Sequence, residues 1–310
     1  KFKSTGYFLI KQEVNSESEI NALIDSGKIK TALIIPTHFA RDIKSNKSPT
    51  PQLIIDGSDP TVARTALSSG MSISGNYSLD LRQQFLSDKG MGELRAPGVS
   101  LNTKVRYNPN MESNRFTVPG LVGLIMQNIT IMLTAFALVR EKERGTIEQL
   151  IVTPIKSIEL ILGKMIPYIA IGYAGFLFSL FLCRFWFGVP ILGSLPLLLL
   201  LGGLFVICAL AIGMLISTIA QNQTQAMQVT LLVLLPSILL SGFIFPIEAM
   251  PVWIQPLSLF IPLTYFLTIV RGIILKGVGM EYLWTQTLML FLFMVAILSL
   301  AVKRFKKSLD

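Results

Sequence analysis

The sequence predicts an α-helical polytopic membrane protein, with five transmembrane helices in this chain, six expected in the full protein, and an N-terminal extracytoplasmic α/β domain. Three observations predict it. Of 310 residues, 52% are hydrophobic and 15% charged, with a mean hydropathy of +0.61, too apolar for a domain that must cover itself with solvated charge. The charges are unevenly spread: residues 1–118 carry 15 Lys/Arg and 11 Asp/Glu, and the 192 residues after them only 12 and 7. The second part also contains several uncharged stretches as long as the roughly 20 residues needed to cross a bilayer core of about 30 Å.

Residues 1–117 are expected to form the outer domain and residues 118–310 the transmembrane domain. In the first, Ser16–Ser26 and Thr37–Ser45 read as helices and Thr31–Ile35 and Gln52–Asp56 as strands. Asp59-Pro60 opens a long helix running to about Asp88, with Asp59 as N-cap and Pro60 at the first helical position. From Thr103 to Gly120, Asn108-Pro109 and Pro119-Gly120 supply turn chemistry suited to a linker. The domain has no glycine-rich phosphate loop, and His38 is the sole histidine, so neither a His-based triad nor a multi-His metal site can form around it.

In the second part, Val118–Val139, Met165–Cys183, about 195–219, about 226–245 and Tyr282–Val302 read as spans. The polar run Gln221–Gln225 separates the third from the fourth. Residues 249–270 are also uncharged, but Pro251, Pro256 and Pro262 argue against a continuous helix. Arg140, Lys142, Arg144, Lys156 and Lys164 fill one loop and Lys303, Arg304, Lys306 and Lys307 the tail, which the positive-inside rule places in the cytoplasm together. Five spans satisfy that and six do not. Residues 247–270 are therefore expected to form an outer re-entrant hairpin, with broken backbone sheltered by protein. The same parity puts residue 1 outside, and predicts a further apolar helix of about 20 residues encoded upstream of Lys1.

The net charge of +9 does not point to nucleic acid, because the basic residues flank apolar runs instead of forming one stripe. Cys183 and Cys208 lie inside apolar runs and read as small hydrophobes. The loop after the first span, Arg140-Glu141-Lys142-Glu143-Arg144-Gly145-Thr146-Ile147-Glu148-Gln149-Leu150-Ile151, carries alternating charge followed by Ile147, Leu150 and Ile151 on one helical face. A helix of this kind, expected near 141–153, either lies in the interface or docks into a groove on a soluble partner.

That stretch is similar to the coupling-helix segment of ABC-2 type permeases, the membrane subunits of multidrug and daunorubicin-resistance exporters. Asp56-Gly57-Ser58-Asp59-Pro60, Ser241-Gly242-Phe243 through Pro246, Met250-Pro251, Pro262-Leu263-Thr264-Tyr265 and Arg271-Gly272 agree with the same family. The resemblance covers essentially the whole chain. It implies a half-transporter of the bacterial inner membrane that pairs with a second permease and with two ABC ATPase subunits. Glu141, Glu143, Arg144, Gly145, Thr146, Ile147, Glu148 and Leu150 would contact the ATPase, and the outer domain is open to a periplasmic adaptor. This chain has no G-x-x-x-x-G-K-[ST] loop, so no cofactor is expected on it and ATP with Mg belongs to the partner.

A substrate path along the first and fourth spans would use Gln127, Asn128, Thr130, Thr134, Gln228 and Thr230. The same residue types also make ordinary interhelical hydrogen bonds. An ion-coupled transporter would need an ionisable residue at membrane depth, and these spans show only Arg184, at a terminus. A membrane enzyme would need a catalytic motif that this sequence does not contain. The remaining class is a membrane-anchored sensor or scaffold whose outer domain binds a periplasmic partner without transport. It would need an output domain inside, where this sequence places a loop and a short tail.

Overall fold

The computed structural model describes residues 2–45, 47–89, 98–145 and 157–307, which divide into two compact units, Lys1–Phe116 and Thr117–Asp310. The first is organised around β2 (Gln52–Asp56). It pairs antiparallel with β1 (Thr31–Ile34) and parallel with β3 (Asn102–Arg106). Both faces of β2 are apolar, as a covered strand requires. Leu53 and Ile55 pack with Ala63 and Ala66 of α3 (Pro60–Lys89). Ile54 packs with Ile20 and Ile24 of α1 (Glu17–Asp25). A short α2 (Phe39–Lys44) lies between β1 and β2 in the chain.

Asp59 starts α3 as the sequence predicts: its Oδ1 accepts from the backbone N–H of Thr61 at 2.9 Å and of Val62 at 3.3 Å. Replacing Asp59 with Ala is expected to destabilise this unit by about 1 kcal/mol, read as a lower urea midpoint of its unfolding. Gly57, just before, is required by close approach, since a Cβ there would lie 2.6 Å from the carbonyl oxygen of Arg106 on β3.

The segment expected to be a linker contains all but the first residue of β3. Asn-Thr-Lys-Val-Arg offers a single apolar residue, so only pairing with β2 reveals it as a strand. The turn chemistry at Asn108-Pro109 is real, whereas Pro119-Gly120, expected as a second turn, lies inside the helix Ser113–Glu143. Tyr107 and Met111 adopt positive φ values of 65° and 50°, and the Asn108 side chain bridges the turn to the backbone of Glu112 through both its oxygen and its nitrogen. Tyr107 donates its hydroxyl to Asp25. Its partial burial, followed by the Asp25 carboxylate, pushes that hydroxyl's pKa well above the ordinary tyrosine value.

Among the described residues of the second unit, five helices are long and apolar enough to cross a membrane. They are α4 (Ser113–Glu143), α5 (Ser157–Phe181, continued by a π turn through Trp186), α6 (Leu195–Ile219), α7 (Gln223–Leu240) and α10 (Met280–Lys307). The fourth ends earlier than expected. Ser241 caps α7, and Gly242 turns the chain with φ +82°.

The Pro-rich segment expected as a hairpin over 247–270 is a single 3-10 turn (Ile247–Ala249), a four-residue α8 (Gln255–Ser258) and α9 (Pro262–Arg271), which runs on as a π turn to Lys276. Pro256 and Pro262 begin helices, where the missing N–H costs nothing. The π turn leaves carbonyls of Ile273 and Ile274 available, and they accept from Gly193 and Leu192 at 3.0 and 3.1 Å. α9 lies deep in the core. Phe266 stacks on Phe205 of α6 at 4.2 Å and meets Phe176 of α5 edge-on at 6.3 Å.

Candidate functional site

The C-terminal end of α4 makes three separate attachments. Successive helical residues point about 100° apart, and here each consecutive residue finds a different helix. Glu141 forms an ion pair with Lys164 of α5. Lys142 donates to the carbonyl of Ala220, the C-cap of α6, at 3.4 Å. Glu143 accepts from the first residue of α7 twice, from Gln223 N at 2.9 Å and Gln223 Nε2 at 2.7 Å. Arg140, one turn back on the face of Glu143, reaches Gln223 Oε1 at 3.4 Å.

Of the segment expected as a helix near 141–153, residues 141–145 are described. Glu141 and Glu143 belong to the last turn of α4, Arg144 follows in a turn, and Gly145 ends it at φ +69°. Apolar packing carries α4 as far as Leu138 and Val139, and the polar attachments just described hold the next turn in helical form. Thr146, Ile147, Glu148 and Leu150 lie outside the described residues.

Of the polar residues expected along a substrate path, Gln127, Thr130 and Thr134 share one buried face of α4. Gln127 Nε2 donates to Ser237 Oγ of α7 at 3.0 Å. Thr134 donates to Thr130 O and Thr230 to Ala226 O, both at 2.8 Å, so each hydroxyl is satisfied within its own helix. Asn128 is half-buried, and Gln228 is exposed on another face of α7 from Thr230. Gln127 Oε1 and Thr130 Oγ1 are buried with no hydrogen-bond partner.

Sequence reasoning passed over Arg271 as an ionisable group among the apolar segments. It ends α9, and its Nη1 and Nη2 donate to the carbonyls of Gly242 and Phe243 at 2.8 and 3.3 Å. Those carbonyls follow the C-terminal end of α7, where a cation is favoured. Gly120 of α4 makes room: a Cβ there would sit 2.8 Å from the Phe243 ring and 3.0 Å from Arg271 Nη2. The readable signal was a charge closing an otherwise uncharged run, Ala249–Val270.

Five spanning-length apolar helices packed around the buried α9 define a polytopic membrane protein. Residues 1–303 match the ABC-2 family transporter protein model, and the chain belongs to that family. It is 35% identical over 298 residues to a probable multidrug ABC transporter permease, YbhS, of Escherichia coli, covering 96% of this chain and 78% of that protein. It is 32% identical over 307 residues to the inner membrane transport permease YhhJ of Escherichia coli, covering 97% and 79%. To another probable multidrug ABC transporter permease, YbhR, it is 29% identical over 273 residues, covering 88% and 72%. Family membership makes this chain a membrane subunit of an ABC transporter, and implies pairing with ABC ATPase subunits.

Proposed function

We propose that the chain is the permease of an ATP-driven exporter in a bacterial inner membrane, coupling hydrolysis on separate ATPase subunits to outward movement of a drug or lipid-like compound. The family match across residues 1–303 carries this reading, and the word multidrug in the names of two relatives supports a drug as the cargo. ATP and Mg reside on the partner subunits. A second permease, identical or homologous, completes the transporter. The basic residues near 140–164 and in the tail favour a cytoplasmic position for both, with residues 1–117 periplasmic and open to an adaptor. Residues 247–270 serve as the outer hairpin.

In this reading the segment from Glu141 to about residue 153 meets the ATPase. Ile147 and Leu150 fill its groove, while Arg144 and Glu148 make charged contacts around the Gly145-Thr146 turn. Closure of the ATPase dimer moves that segment, and the spans shift as bodies between two arrangements. The test is co-purification of the tagged full chain with the ATPase encoded beside it, followed by ATPase assays in liposomes. Glu148→Ala and Gly145→Ala should insert normally yet lose stimulation of the ATPase. Stimulation equal to wild type in both variants would overturn the coupling assignment, and failure of any ATPase to associate would overturn the exporter reading.

A further inference from the structure

The amino terminus of a helix presents backbone N–H groups without intrahelical partners, normally satisfied by a nearby side chain in the same segment. Asn222 performs that role locally for α7, accepting from Gln225 N at 2.8 Å. The N–H of Gln223 is instead satisfied by Glu143, 80 residues away on α4. The second carboxylate oxygen holds the Gln223 side chain. Glu143 is thus a cap for α7 supplied from another helix, and its negative charge complements the positive end of the α7 dipole. Only Arg144 separates it from Gly145, where α4 stops.

We propose that Glu143 is a positioning residue that transmits movement of the inner loop into α7, by gripping Gln223 from the last turn of α4. This rests on the exporter reading above. Residues beyond Gly145 push on α4 at its end, and a rigid helix passes that displacement to whatever its terminal turn holds. Glu143 engages the start of α7 through two hydrogen bonds to one residue, so α7 follows in rotation as well as translation. Lys142 donates to the carbonyl that closes α6, and Glu141 pairs with Lys164 of α5. Both oxygens of Glu143 face Gln223, so the carboxylate is engaged within this chain.

The hydrogen-bond pattern supplies a swap as the test. In Glu143→Gln paired with Gln223→Glu, the amide on α4 donates to the carboxylate on α7, its oxygen accepts the backbone N–H of residue 223, and both bonds return. Gln223→Glu alone sets two carboxylates against each other. The full chain, co-purified with its ATPase and carrying nitroxide labels at Thr224 and Val302, is examined before and after ATP with vanadate. The shifted population of label distances should fall about fivefold in Glu143→Ala and in Gln223→Glu, the size of losing one interhelical coupling, and should return in the swap. A wild-type shift in Glu143→Ala, or no recovery in a monodisperse swap variant, overturns the proposal. Should Glu143→Ala fail to fold, Gln223→Glu against the swap decides. An unmodified complex that binds ATPase but shows no shift also overturns it, whereas absence of ATPase binding refutes the exporter reading itself.

Discussion

Gly202→Ala is expected to lower the stability of the membrane unit by about 3 kcal/mol, at the upper end for a methyl forced into a filled core, while the neighbouring Gly203→Ala leaves it unchanged or slightly higher. A Cβ at Gly202 would sit 2.1 Å from Phe176 Cε1 and 2.4 Å from Cζ. That ring cannot retreat. Phe176 is fully buried and meets Phe266, which is itself stacked on Phe205. At Gly203 the nearest atom is Tyr173 Cε2 at 3.4 Å, on a half-buried ring that can yield. There alanine gains up to about 1 kcal/mol of helix propensity over glycine. The chain contains its own reporter, because Cys183 and Cys208 are both free and fully buried. The temperature at which a thiol-reactive dye begins to label the protein in detergent should drop for the first variant alone. Equal midpoints for the two would refute the packing account.

Arg271→Met should lower the same midpoint, with a loss of about 2 kcal/mol. The carbonyls of Gly242 and Phe243 forfeit the guanidinium, and a buried acceptor left unmatched costs about 1–3 kcal/mol. Part of this is offset by no longer holding a charge among apolar helices, which scales near 2.5–3.5 kcal/mol at full depth, and Arg271 is only half-buried. Arg271→Lys should not restore stability, since a compact ammonium lacks the planar fork that spans two neighbouring carbonyls. Gly120→Ala should act in the same direction by displacing Phe243 and Nη2 together. Combined with Arg271→Met, its effect should be less than additive. Strict additivity would mean that Gly120 and Arg271 do not share one contact.

The spans, the long helix from Pro60 and the first two strands were legible because each is written in local terms: an uncharged run, an Asp-Pro start, a buried Leu-Ile-Ile. β3 was not, since Asn102–Arg106 becomes a strand only beside β2. The turn that ends α4 was half legible. Alternating charge at 140–144 marked it as polar and exposed, but the assignment of Glu141 to Lys164 and Glu143 to Gln223 depends on where α5 and α7 begin in space. Gln127 and Thr230 drew attention as polar atoms in apolar helices. Whether such an atom is satisfied at i−4, as Thr230 is, or across to another helix, as Gln127 is, is a matter of rotamer and neighbour. Arg271 was visible as a charge and invisible as a clamp, because its acceptors lie 28 and 29 residues earlier in the chain.

The depth of α9 fixes an order of assembly. From Pro262 to Lys276, α9 and its π turn reach about 22 Å at helical rise, short of the roughly 30 Å that an independent span must cover. Yet Leu263, Phe266, Ile269, Ile273 and Ile274 are all fully enclosed by other helices. A segment too short to be handed to lipid by itself, but too buried to stay in water, has to wait. It enters its place only after α6 is present to receive Phe266 and after α10, synthesised later, has arrived to close the other side. The centre of the membrane unit is thus among the last parts to settle during biogenesis, and a nascent chain arrested before Met280 would hold an unfinished core.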